Sequence, residues 1–104
     1  MPITGGCHCG AVRYALQGEA MYHTLCHCVD CRRSAGAPMV GWAAFQSSAL
    51  SITEGTPSTY ASSDHGRRQF CGSCGTGLFY LNAQNLPGIE IGRASCRERV
   101  CLAV

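Results

Sequence analysis

The sequence contains no lysine, because all eight of its basic residues are arginine. Schiff-base chemistry on a carbonyl substrate needs the primary amine of a lysine side chain, so that reaction class is excluded. Long hydrophobic runs are also missing. The longest apolar stretch, residues 39–45, is interrupted by a glycine and is far shorter than the roughly 20 residues that span a bilayer. We therefore expect neither a Schiff-base enzyme nor a membrane protein.

A strong excess of charge is absent as well. The formal net charge is +2, and residues 92–104 hold three of the eight arginines but only one of the six acidic residues, so the preceding chain is neutral. Without a basic surface interleaved with aromatic residues, nucleic-acid binding is not indicated. The first residues lack the basic and apolar segments of a signal peptide. These absences predict a cytoplasmic protein that binds neither nucleic acid nor membrane.

Cysteine, by contrast, is abundant, with nine residues in a chain of 104. Cys96 and Cys101 stand apart, whereas the other seven lie in tight clusters. The clusters are Cys7-x-Cys9, Cys26-x-Cys28-x-x-Cys31 and Cys71-x-x-Cys74. Thiolates that converge on one ion need such short spacings, whereas disulfide frameworks do not. The pattern predicts metal binding.

The pair Cys71 and Cys74 is followed by a glycine, which permits the positive φ that turns backbone N–H groups toward sulfur. This pair supplies only two of the four ligands that a structural zinc ion needs. Cys7 and Cys9 have the same trailing glycine and no third cysteine of their own, so they are the expected partners. Together the four residues predict a closed structural zinc site.

Cys26, Cys28 and Cys31 remain as a separate triplet. Three protein ligands with an exchangeable fourth position are typical of a catalytic zinc site. In the alternative interpretation, a neighbouring side chain closes the site and makes it structural: His23, His27 or Asp30. The spacing of the residues does not decide between these two interpretations.

Arg32 and Arg33 follow the triplet directly. Guanidinium groups bind carboxylates in a bidentate manner, so these two residues are candidate ligands for an anionic substrate. Their alternative role is to offset the negative charge of a thiolate-bound zinc ion or simply to be solvated. Both roles remain open from the sequence.

Short alternating segments separated by turn residues predict a mainly β fold of small antiparallel strands clasped by metal. The expected strands cover residues 12–16, 22–25, 39–45, 50–53, 58–60, 67–70, 78–81 and 89–91. Residues 29–35 are expected to form one or two helical turns. Trp42 and Phe45 are expected in the core, with pocket lining as the alternative for both.

Three cysteine-containing segments carry a family resemblance: Gly5-Gly6-Cys7-His8-Cys9-Gly10-Ala11-Val12-Arg13-Tyr14, Cys26-His27-Cys28-Val29-Asp30-Cys31-Arg32-Arg33-Ser34-Ala35-Gly36 and Phe70-Cys71-Gly72-Ser73-Cys74-Gly75-Thr76. They resemble the glutathione-dependent formaldehyde-activating enzyme family, also called the centromere protein V-like domain. The resemblance covers residues 3–91 and implies a zinc-bound β-tent fold. It also implies that the four paired cysteines bind a structural zinc ion and the triplet binds a catalytic one.

The implied reaction is the addition of glutathione to formaldehyde, which gives S-hydroxymethylglutathione and serves detoxification. Glutathione and a small aldehyde would then be the partners, and the thiol would bind at the open position of the second zinc ion. Two alternatives are a zinc-stabilised protein-binding module without catalysis and a lyase that uses another small thiol or aldehyde.

The end of the sequence does not continue the family pattern. We expect residues 1–91 to form the zinc domain, without the family's further C-terminal segments, and residues 92–104 to be a non-native tail. A coding sequence for Ile91 to Val100 resembles the read-through of a sequencing adapter, and the segment shows neither strand alternation nor an apolar helical face.

Overall fold

The computed structural model describes residues 3–82, 88–92 and 95, and this part of the chain forms nine β-strands and one α-helix. In chain order they are β1 (Ile3–Gly6), β2 (Arg13–Leu16), β3 (Tyr22–Cys26), α1 (Val29–Ala35), β4 (Val40–Gln46), β5 (Leu50–Glu54), β6 (Ser58–Ala61), β7 (Gly66–Phe70), β8 (Gly77–Asn82) and β9 (Gly88–Gly92). A 3₁₀ turn, Ser47–Ala49, joins β4 to β5. The predicted mainly β fold is confirmed. Cys96 and Cys101 lie outside the described residues.

The strands form two antiparallel sheets. The smaller sheet has the order β1-β2-β5 and the larger one the order β3-β4-β9-β8-β7-β6. β9 is the last described strand in the sequence, yet it lies in the interior of the larger sheet between β4 and β8. Residues 88–92 therefore join the two halves of the larger sheet.

The apolar core lies between one face of the larger sheet and strand β2. Its largest members are Tyr14 and Leu16 from β2, Phe45 from β4, Leu78 and Phe79 from β8, and Ile89 and Ile91 from β9. The Tyr14 and Phe79 rings meet edge to face with their centroids 5.1 Å apart, which is an arrangement that aromatic pairs prefer. Phe45 is 1% exposed, as expected from the sequence.

The opposite face of the larger sheet is more polar. The strand register aligns one row of residues from β6 to β3: Tyr60, Arg68, Tyr80, Glu90, Ala44 and Tyr22. Trp42 lies two residues from Ala44 on β4, and its ring centroid is 6.2 Å from that of Tyr80, so it shares this face. We call this side of the sheet the polar face. Helix α1 contacts it through Asp30 and Cys31.

Ser95 connects the end of β9 to the core. The Ser95 hydroxyl donates its proton to the carbonyl oxygen of Gly92 at 2.8 Å. The hydrogen bond between the Tyr14 and Ser95 hydroxyls, also 2.8 Å long, is therefore donated by Tyr14. Burial raises the pKa of Tyr14, with the Ser95 hydrogen bond opposing that change. Gly92 and Ser95 both lie in the segment expected to be a non-native tail, and the domain boundary at residue 91 stays a prediction.

We predict that Ser95→Ala lowers the free energy of unfolding by about 1–2 kcal/mol, because the buried Tyr14 hydroxyl loses its acceptor. Urea unfolding of Ser95→Ala, Tyr14→Phe and the double variant measures the coupling between the two hydroxyls. We expect a coupling energy of about 0.5 kcal/mol or more. If the losses of unfolding free energy in the two single variants simply add up in the double variant, the hydrogen bond between the two hydroxyls is contradicted.

Candidate metal centres

Four cysteine sulfurs from two distant parts of the chain meet in the first centre: Cys7, Cys9, Cys71 and Cys74. All four sulfurs lie within 4.8 Å of one another. The Cys7 and Cys9 sulfurs are 3.7 Å apart, and the Cys9 and Cys71 sulfurs are 3.8 Å apart. Tetrahedral ligands with a zinc–sulfur distance of about 2.3 Å have their sulfurs about 3.8 Å apart. The cluster therefore fits a zinc-sized ion.

The same local structure builds both halves of this centre. The N–H of Cys7 donates to the carbonyl of Val12 at 3.1 Å, and the N–H of Cys71 donates to the carbonyl of Thr76 at 3.0 Å. The glycine after each pair has a positive φ, as the sequence indicated: 85° at Gly10 and 81° at Gly75. The backbone of each half therefore turns tightly around its two sulfurs.

Backbone N–H groups are directed at the buried sulfurs of this centre. The N–H of Val12 donates to the Cys7 sulfur at 3.3 Å, and those of Ser73 and Cys74 donate to the Cys71 sulfur at 3.4 Å. Such donors stabilise thiolate over thiol. Accordingly, the Val12 N–H lowers the pKa of Cys7.

The two more exposed cysteines of this centre, Cys9 and Cys74, have pKa values that are shifted in opposite directions. Hydrogen bonds from the Thr76 hydroxyl and N–H lower the pKa of Cys74 to about 5. At Cys9 the N–H of Ala11 acts in the same direction, but the neighbouring sulfurs outweigh it and raise the pKa to about 11. Sulfurs this close cannot all ionise without a cation between them, so the donor set calls for a metal ion.

The second centre joins the end of a strand to the start of a helix. Cys26 is the last residue of β3, Cys28 is the N-cap of α1, and Cys31 lies in the first turn of that helix. Their three sulfurs lie within 4.8 Å of one another, with Cys26 and Cys28 3.3 Å apart. Cys28 and Cys31 meet because residues three apart share one side of a helical turn.

The Cys28 sulfur accepts the N–H of Cys31 at 3.3 Å, and this bond lowers the pKa of Cys28. At Cys26 the N–H of Cys28 also lowers the pKa, but the sulfurs of Cys31 and Cys28 outweigh it and raise the pKa to about 11. The triplet thus shows the same crowding of thiols as the first centre and is equally suited to a cation. All seven cysteines in the described ranges are free of disulfide bonds.

The candidates for a fourth ligand do not join the triplet. None of His23, His27 and Asp30, all of which the structure describes, belongs to the group of converging ligand atoms. Asp30 is engaged elsewhere, because its carboxylate pairs with Arg68 at 2.6 Å. Within the described residues, the triplet offers three converging ligands, and the open fourth position stays a prediction.

Arg68 is the residue of this site that the sequence analysis missed. It is 8% exposed, and its Nη2 donates both to Asp30 and, at 3.5 Å, to the Cys31 sulfur. Its guanidinium carbon lies 4.9 Å from the centre of the Tyr80 ring, a cation–π contact. Little in the sequence pointed to it, because Arg67 and Arg68 are neighbours of the same type and only the strand order shows which one faces helix α1.

The predicted substrate ligands Arg32 and Arg33 are exposed in the last turn of α1. Both line a shallow cavity at the end of that helix, together with Val29 and Pro38. Arg33 also lines a larger cavity that Asp30, Trp42 and Arg68 line as well. Their role in substrate binding stays a prediction.

A cavity of about 460 Å³ opens beside the triplet, and we call it the triplet cavity. Its lining includes the three cysteines together with Trp42, Arg68, Tyr80 and Glu90. Burial raises the pKa of Glu90, while the charge of Arg68 opposes that change. A carboxyl group with a raised pKa in a cavity is suited to hold or release a proton.

Comparison with known proteins gives a family match over nearly the whole chain. A family model described as "Glutathione-dependent formaldehyde-activating enzyme" matches residues 2–101. A Schizosaccharomyces pombe protein named as an uncharacterized lyase is 34% identical over 83 residues, which cover 78% of this chain and 60% of that protein. The chain thus corresponds to only part of the length of this relative.

A crystal structure of a Rhodobacter sphaeroides protein has a similar fold, with a TM-score of 0.75 and 23% sequence identity. The match covers 90% of this chain and 87% of that one. In the described part of this chain, no helix has the length and apolar character needed to cross a membrane.

We predict that Arg68→Lys weakens metal binding at the triplet by roughly 10-fold or more, because lysine lacks the planar group that reaches both Asp30 and Cys31. Titration of the metal-free protein with Co²⁺, competed by a chromophoric chelator, separates the two centres. Arg67→Lys, one residue away on the same strand, is the matched control and should bind both ions normally. Equal affinities for the two variants would contradict the role of Arg68.

Proposed function

Because the chain belongs to the glutathione-dependent formaldehyde-activating enzyme family, we propose that it is a zinc-dependent carbon–sulfur lyase-type enzyme that condenses glutathione with formaldehyde to S-hydroxymethylglutathione. The observation that carries this proposal is the cysteine triplet, which offers three converging sulfurs and borders a cavity of about 460 Å³. A cavity of this size is in the range that binds small organic molecules.

We assign a structural zinc ion to the four-cysteine centre and a catalytic one to Cys26, Cys28 and Cys31. The all-sulfur donor sets and their spacing support this assignment. When bound at the triplet, zinc supplies a position at which a thiol can bind with a lowered pKa. Three-ligand sites of this kind keep a fourth position for a substrate.

The chain's own residues then have distinct tasks. Arg68 holds Asp30 and Cys31, and so fixes the first turn of α1 against the polar face. Addition of a thiol to an aldehyde forms one carbon–sulfur bond and moves the thiol proton to the carbonyl oxygen. We assign this proton transfer to the Glu90 carboxyl, which faces the triplet cavity. Arg32 and Arg33 are the proposed ligands of the glutathione carboxylates.

A protein-binding module without catalysis is the second candidate. Strand β3 is an edge of the larger sheet, and exposed apolar side chains surround it: Met21, Tyr22, Leu25, Val29 and Met39. Such a patch suits a protein partner.

We also propose a cytoplasmic location, since the described cysteines are all unpaired and thiols stay reduced there.

We predict that native mass spectrometry finds two zinc ions per chain and a single glutathione adduct on addition of the thiol. The adduct should be lost in Cys28→Ser, because the triplet then lacks a ligand. A single zinc ion, or two ions with no adduct, would favour the protein-binding module.

We further predict that Cys28→Ser and Cys71→Ser differ in their effect. Cys28→Ser should remove one zinc ion and lower activity by roughly 100-fold or more, since even changes around metal ligands cost 10–100-fold, while the fold persists. Cys71→Ser should remove the other ion and destabilise the fold, because structural zinc contributes directly to folding. Metal analysis, thermal unfolding and turnover of both variants test this. Normal turnover by Cys28→Ser would contradict the proposed function.

A further inference from the structure

A second, larger cavity of about 670 Å³ lies next to the triplet cavity, and its lining includes Arg33 and Arg68 from the proposed function. Three aromatic side chains from β4, β6 and β7 belong to its lining, Trp42, Tyr60 and Phe70, beside charged groups that include Asp30, Arg33 and Arg68. We call it the aromatic cavity. Its size and lining match those of pockets that bind organic groups.

The two cavities are neighbours, because Asp30, Trp42 and Arg68 line both of them. Arg68 connects the aromatic cavity to the chemistry of the triplet, since its Nη2 lies 3.5 Å from the Cys31 sulfur. A molecule whose reactive end lies at the triplet can therefore place another group in the aromatic cavity.

Formaldehyde has no side group and makes no use of such a cavity. We propose that the aromatic cavity binds the aryl group of an organic aldehyde, so that the carbonyl substrate of the triplet extends beyond formaldehyde to aryl-substituted aldehydes. This inference rests on the proposed function. The thiol sulfur forms a bond to the carbonyl carbon, the π electrons of the carbonyl move to its oxygen, and that oxygen takes the proton that the thiol gives up. No oxidant or reductant is needed.

Gly77 offers a direct way to fill the cavity. It lies on β8 in the lining of the aromatic cavity, its φ is ordinary, and a Cβ added there meets no atom within 4 Å. Gly77→Leu therefore adds an apolar side chain to open space without displacing the backbone. Ser51→Leu is the matched control, because Ser51 is exposed on β5 in the smaller sheet.

The first experiment compares phenylacetaldehyde with formaldehyde, each with glutathione, by following the loss of free thiol after rapid mixing. In the unaltered zinc-loaded protein we expect kcat/KM for phenylacetaldehyde to be roughly 10-fold higher, in line with the effect of apolar groups in matching pockets. Gly77→Leu should remove this preference and leave formaldehyde turnover unchanged, whereas Ser51→Leu should keep it. A preference that is absent, or that Gly77→Leu does not alter, overturns the inference.

The second experiment does not depend on turnover. Saturation-transfer NMR measures binding of phenylacetamide, which carries the aryl group without an aldehyde, to the zinc-loaded protein. We expect binding to the unaltered protein and to Ser51→Leu, and loss of binding in Gly77→Leu. Failure of phenylacetamide to bind, together with formaldehyde turnover, overturns this inference alone. Absence of turnover with either aldehyde overturns the proposed function and, with it, the substrate class inferred here.

Discussion

The meeting of four thiols at one point is the constraint on which the rest of the structure depends. Cys9 and Cys71 are 62 residues apart in the sequence, and their sulfurs are in contact. One pair follows β1 of the smaller sheet, and the other follows β7 of the larger sheet. A cation held between the pairs would join the two sheets in the way that a larger hydrophobic core does in a longer chain.

Much of this arrangement could be predicted from the sequence, because its signals are local. The spacing of the cysteines indicated two groups of ligands, and short alternating runs indicated the strands from β2 to β9. The segment 29–35 was expected to be helical, as helix α1 is. Strand β1 was missed, since two of its four residues are glycines, which have a low strand propensity. Gly5 is nevertheless required there, because a Cβ would overlap the hydroxyl of Tyr14.

The surroundings of the triplet could not be predicted in this way. Arg32 and Arg33 stood out because they follow Cys31 in the sequence, but the guanidinium that contacts Cys31 belongs to Arg68 on a distant strand. Which strand faces helix α1 depends on the order of the strands in the larger sheet, and no local sequence pattern indicates that order. Strand alternation explains the result afterwards: in β9, Ile89 and Ile91 enter the core, while Glu90 lies on the polar face.

The interior position of β9 has a consequence for synthesis on the ribosome. Strands β4 and β8 leave the ribosome before β9, and each lacks one neighbour until residues 88–92 follow. Until β9 pairs with both of them, the incomplete fold exposes two unpaired strand edges, which are templates for pairing with other chains. Insertion of residues 88–92 therefore competes with association between unfinished chains.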